Sequence, residues 1–137
     1  MNVNSTVLDA SAILAYLNRE PGHDRIEALL GSGGIKASAV NYAEAVSKLI
    51  DWKVPPDDAR MAVASLQIAV VPLDEAQGLR VGQLRSATRP YGLSLGDRAC
   101  LALAEREQAV VITADRPWLA LAESLQLDIR CIRPDQH

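Results

Sequence analysis

Short β-prone runs occupy residues 6–8, 35–37, 68–71, 109–113 and 128–132, the third and fourth of them apolar nearly throughout. Between them lie stretches whose apolar positions recur every three or four residues, the period of a helix with one buried face. The alternation predicts strands feeding helices. After residues 6–8 comes Asp9, then Ser11 and the run AILAYL. Residues 24–30 place Ile26, Leu29 and Leu30 at helical spacing, and residues 40–52 form a stripe of Val40, Ala43, Val46, Leu49 and Ile50, with Glu44 at its border. A long polar helix is expected over residues 74–88. Another follows to about residue 107, with Leu95, Cys100, Leu103 and Ala104 as its apolar set.

The punctuation supports these boundaries. Pro21-Gly22, Gly31 to Gly34 and Pro90-Tyr91-Gly92 break the chain. Ser38 and Ser94 stand where helix caps belong, with Asp97 three residues after Ser94 as in a capping box. Pro55-Pro56 followed by Asp57-Asp58 starts a helix with acids in its first turn, where the helix dipole favours them. Pro117 permits a helix to residue 125 after the strand that ends at Thr113-Ala114-Asp115.

Strands alternating with helices require right-handed crossovers and a mainly parallel sheet covered on both faces. Strands buried on both faces have no need of an alternating pattern, as in residues 109–113. The expected architecture is a three-layer α/β/α sandwich. At 137 residues and 49% apolar composition, one domain spanning residues 1–137 is expected, with no repeat, linker or low-complexity segment.

Charge narrows the function. Fourteen basic against 17 acidic residues leave a net charge of −3, which excludes a coat protein held to nucleic acid by bulk charge. Most of the basic residues are arginine, whose forked guanidinium suits phosphate, so a local phosphate-binding groove is open. Cys100 and Cys131 lie in apolar stretches outside any metal-binding or redox spacing and read as reduced core thiols. The start lacks a basic leader region, and no apolar run reaches membrane-spanning length, so a soluble cytoplasmic protein is expected.

The chemistry-bearing residues are acids. Asp9 and Asp115 each follow a strand, and open α/β sheets bind ligands outside the carboxyl ends of their strands. Asp97, in the first turn of its helix, and Glu44 complete a ring of carboxylates if those helix ends face the same crevice. Packed carboxylates repel one another unless a cation holds them ionised. With hard oxygen ligands on offer, and neither His23 nor His137 spaced to a cysteine, Mg²⁺ or Mn²⁺ is favoured over Zn²⁺. Such an ion suits phosphodiester hydrolysis. Each acid also has an ordinary role: Asp9 and Asp115 as helix caps, Asp97 as an acceptor for backbone N–H groups, Glu44 as a solvated helix residue. Ser11 and Thr113 are hydroxyls able to orient an acid or to cap a turn. Arg98 and Arg116 are candidate phosphate contacts, and Trp52 and Trp118 are either stacking platforms or core residues.

The segments VLDASAILAYL, NYAEAVSKL, LSLGDRACLALA and VITADRPW resemble, in order and spacing, the PIN-domain family and especially its VapC-type toxins. The resemblance covers nearly the entire chain. It implies that Asp9, Glu44, Asp97 and Asp115 bind the metal and are catalytic, supported by Thr113 or Ser11. It further implies Mg²⁺-dependent endoribonuclease activity on an RNA substrate, a homodimer, and a cognate VapB-like antitoxin whose C-terminal segment fills a groove near the site. Pro117 stands where some members carry a further acid, which makes one metal ion the expectation rather than two.

Other classes fit less well. A receiver-type signalling domain resembles a scheme needing a lysine after the last strand, and residues 128–133 contain none. A haloacid-dehalogenase-like phosphatase resembles a D-x-D scheme, whereas Ser11 stands two positions after Asp9. A PIN-like RNA- or protein-binding module without turnover is the non-enzymatic alternative.

Overall fold

The structure is a computed structural model that describes residues 5–134. Residues 1–4, at the start of the chain, and His137 lie outside the described residues. Five strands form a wholly parallel sheet in the order β3-β2-β1-β4-β5. They are β1 (Thr6–Leu8), β2 (Ile35–Ser38), β3 (Ala69–Val71), β4 (Val110–Thr113) and β5 (Ile129–Cys131). The helices are α1 (Ala10–Leu17), α2 (His23–Leu30), α3 (Ala39–Asp51), α4 (Pro56–Ala64), α5 (Glu75–Thr88), α6 (Leu95–Glu107) and α7 (Ala122–Leu125).

The sheet separates two cores, as the expected three layers require. Val7 and Val111 point into one, with Val81 and Leu84 of α5, the buried side of α6, and Trp118. Leu8 and Ile112, the next residue along each strand, point into the other, with Ile13, Ile26, Ala45, Leu49 and Val63 of α1 to α4. Trp118 is therefore a core residue, 1% exposed, while Trp52, just past the end of α3, is 41% exposed.

Four expectations about local structure are corrected. Residues 68–71 were expected as a buried strand; β3 instead forms one edge of the sheet, and Ala69 and Val70 are exposed. Position in the sheet, which composition does not encode, decides this. On α3 the buried line is Asn41, Ala45 and Leu49, so Ala43 and Ile50 turn outward. The buried line begins with a polar residue, Asn41, which an apolar pattern does not register. Leu95 is 56% exposed at the start of α6, whereas α6 is buried without interruption from Arg98 to Ala104 because it lies between α5 and the sheet. After Asp115 the chain forms a 3-10 helix, Arg116–Leu121, before the short α7. Cys100 is buried and Cys131 half-buried, both free.

A candidate acidic centre at the switch point of the sheet

From β1 the chain winds outward to β2 and β3, and from β4 it winds the other way to β5, so the loops leaving the adjacent strands β1 and β4 diverge. Open α/β sheets bind their ligands at such a divergence, outside the carboxyl ends of the strands. Asp9 follows β1 directly and Asp115 follows β4 by two residues, and the Asp9 N–H donates to Ile112 O across the strand pair at 3.3 Å.

Asp9 is 2% exposed and has a double role. As the N-cap of α1 it accepts from the Ala12 N–H at 2.8 Å. Its carboxylate also accepts from Ser11 Oγ at 2.7 and 2.9 Å and, at Oδ2, from Thr113 Oγ1 at 2.6 Å. Burial nevertheless dominates, raising its pKa to about 6 against these hydrogen bonds, with the charge of Asp97 adding to the rise.

Ser11 and Thr113 stitch the two loops together. Ser11 Oγ accepts from the Ala114 N–H at 2.9 Å, and Thr113 Oγ1, wholly buried, accepts from the Asp115 N–H at 3.0 Å. The Asp115 backbone is thus tied to the Asp9 carboxylate through one hydroxyl. Asp115 itself is exposed, and although it heads the 3-10 helix its side chain makes no capping bond.

Asp97 sits in the first turn of α6 within a complete capping box: its N–H donates to Ser94 Oγ at 3.2 Å, and its Oδ2 accepts from the Ser94 N–H at 2.9 Å. Glu44, half-buried on α3, has its pKa raised by burial, opposed by a hydrogen bond from Asn41, and raised further by the charge of Asp97. Burial pushes the Cys100 thiol well up, and the negative fields of Asp9, Asp97 and Glu44 push it further. One thiol and two carboxylates therefore register the same local accumulation of negative charge.

As placed, no three His, Cys, Asp or Glu side chains among the described residues stand close enough together to hold a metal ion between them. The donor chemistry nonetheless fits a hard divalent cation. The donors are oxygens, no positive side chain among the described residues lowers the pKa of the buried Asp9 carboxyl, and the carboxylates of Asp9 and Glu44 both lie in the field of Asp97. Asn41 Oδ1, buried beside Glu44, has no hydrogen-bond partner.

The candidate phosphate contacts fare differently from the acids. Arg98 points away from them, buried against α5, with Nη1 donating to Val81 O at 3.0 Å. Arg116 Nη2 donates to Arg133 O at 2.7 Å, fastening the end of the described chain to the loop after β4. Asn41 and Gly96, which frame Glu44, did not emerge from the sequence. An amide three residues before an acid on an otherwise apolar helix face was the available signal. A cavity of about 580 Å³ lined by residues such as Gln108, Val110 and Asp128 lies at the opposite, amino ends of β4 and β5, far from this chemistry.

Fold and site together define a doubly wound α/β protein with acidic residues at its topological switch point. The model of the PIN domain family matches residues 6–123, and the chain belongs to that family. No curated protein matches it by sequence. Among solved structures it is similar to VapBC2 from Rickettsia felis bound to a DNA fragment from its promoter, with a TM-score of 0.70 at 15% identity over 92% of this chain and 97% of that one. A toxin-antitoxin complex from Klebsiella pneumoniae superposes with a TM-score of 0.70 at 15% identity, over 96% and 100%. DNA-bound VapBC from Salmonella typhimurium gives 0.69 at 18% identity, over 95% and 99%. At these identities the likeness establishes the shared fold.

Proposed function

We propose that the chain is a Mg²⁺-dependent endoribonuclease, a VapC-type toxin that hydrolyses RNA phosphodiester bonds and is neutralised by a cognate VapB-like antitoxin. The observation that carries this reading is Asp9: a carboxylate nearly removed from water at a strand's carboxyl end, in the field of Asp97, with its pKa raised to about 6. A bound cation would offset the cost of burying that charge.

Asp9, Glu44, Asp97 and Asp115 would hold the ion, with Mn²⁺ an acceptable substitute. A divalent cation, when bound, supplies positive charge that offsets the phosphate's and makes a nearby water more acidic. The protein's own part is orientation. Ser11 and Thr113 fix both oxygens of Asp9, and the capping box fixes Asp97. Thr113 sets the backbone of Asp115, an exposed residue.

The neighbours whose titles name VapBC or toxin-antitoxin complexes support an antitoxin partner for this chain, and the homodimer is proposed on the resemblance of its sequence to VapC-type toxins. Among the described residues no helix is long and apolar enough to cross a membrane. Action on RNA in the cytoplasm is part of the proposal.

The test is cleavage of a mixed structured-RNA substrate by purified protein in Mg²⁺, beside EDTA and Asp97→Asn controls. Cutting that requires both the metal and Asp97 is expected. Cutting that survives either control overturns the assignment, and failure to cut any substrate favours the PIN-like binding module without turnover.

A further inference from the structure

Glu44 differs from Asp9 and Asp97 in how it is held. Neither a helix cap nor a strand end fixes it; it is a long, flexible side chain leaving the middle of α3. Two residues confine it. Asn41, one turn earlier on the same face of α3, donates through Nδ2 to Glu44 Oε1 at 3.1 Å and to Gly96 O at 3.0 Å. Gly96 presents bare backbone to the carboxylate: a Cβ there would fall 2.1 Å from Glu44 Oε1 and 2.3 Å from both Cδ and Oε2. Gly96 immediately precedes Asp97.

We propose that Asn41 is a positioning residue of the acidic centre, seating Glu44 in a socket floored by Gly96 and so holding Glu44 and Asp97 in fixed register. The proposal rests on reading that centre as a divalent-cation site.

The chemistry of the amide explains why the residue is asparagine. Both neighbours of Nδ2 are acceptors, a carboxylate and a carbonyl, and an amide nitrogen carries two N–H groups with which to meet them. The opposite orientation of the amide would set oxygen against oxygen twice, so the hydrogen-bond network dictates the orientation. Serine has one donor, leucine none, and aspartate would add a negative charge against Glu44. Asn41 is wholly buried, and its Oδ1 finds no partner. An unpaired buried acceptor costs stability. The fold tolerates that cost at a side chain whose other end joins α3 to the first turn of α6.

Gly96 offers an independent handle. The atoms that a Cβ would meet belong to the far end of the Glu44 side chain, which can swing away, so Gly96→Ala displaces the carboxylate while leaving Asn41 and the backbone in place.

The test is Mn²⁺ affinity by isothermal titration on the folded protein, with melting curves alongside, for the parent, Asn41→Leu, Gly96→Ala, Glu44→Gln and the Asn41→Leu/Glu44→Gln double variant. Groups that orient a metal ligand change affinity by about tenfold or more. Asn41→Leu and Gly96→Ala are each expected to weaken Mn²⁺ binding by about that factor, with Asn41→Leu adding nothing once Glu44 is already glutamine. Parent-like affinity in either single variant, or losses that multiply in the double variant, overturn the socket. If Asn41→Leu does not fold, Gly96→Ala decides alone. Parent-like affinity in Glu44→Gln would instead remove Glu44 from the cation site and the proposal with it, whereas RNA cleavage that needs no metal would overturn the nuclease reading on its own terms.

Discussion

Asp9 keeps a carboxylate almost entirely out of water, and the consequences are thermodynamic. Its pKa stands at about 6 in the fold against 3.8 in the unstructured chain. A raised carboxyl binds its proton more tightly folded than unfolded, so the stability it contributes is present at low pH and is lost as pH rises through that interval, by about 3 kcal/mol. In EDTA, Asp9→Asn should therefore unfold at higher urea than the parent at about pH 8, a gap that closes by about pH 4. Added Mg²⁺ should raise the parent's midpoint at the higher pH and leave the variant's unchanged. Thr113→Val keeps the shape of a wholly buried side chain while deleting its hydrogen bonds to Asp9 and to the Asp115 N–H. It should lower stability by about 1–2 kcal/mol in urea denaturation. The sequence points to Asp9, Asp97 and Asp115 through strand ends and a capping pattern, which are local signals. Asn41 escaped because its role depends on the approach of Gly96 from 55 positions away.

Helices and strands carry their own tests. β3 is an edge strand whose Val70 is 40% exposed, whereas Val7 of β1 is fully buried in the centre of the sheet. Val70→Thr should change stability by no more than about 0.5 kcal/mol, while Val7→Ala should cost about 2–3 kcal/mol, both read by urea denaturation. The run 68–71 reads as a buried strand because β-propensity and apolar content are the same at an edge as at the centre; only the sheet order separates the two. The boundaries that were correct rest on local chemistry: Ser38, Asp74 and Ser94 each cap a helix through a side-chain oxygen. The turn at Gly22 is a further case, with φ at +98° and a Cβ there 2.2 Å from Ile132 O. Gly22→Ala should destabilise by about 2 kcal/mol or more, loosening the segment after β5 from the α1–α2 turn.

Across the whole molecule, topology converts scattered acids into a site. A 3-2-1-4-5 parallel order places the ends of β1 and β4 side by side, so residues 106 positions apart in sequence share one hydroxyl, that of Thr113. The α/β class and parallel sheet were readable from alternating elements, since a parallel pair demands a crossover. Which loops would face one crevice follows from strand order alone. In the function proposed above, the acids at this switch point direct a water, in the presence of Mg²⁺, at an RNA phosphate. The cut ends record that chemistry, and mass spectrometry after digestion in Mg²⁺ and in EDTA resolves them. Attack by water with departure of the 3′ oxygen leaves a 5′-phosphate and a 3′-hydroxyl, and those ends, formed in Mg²⁺ and absent in EDTA, are predicted. A 2′,3′-cyclic phosphate, which marks attack by the RNA's own 2′-hydroxyl, or the same fragments in EDTA, would contradict it.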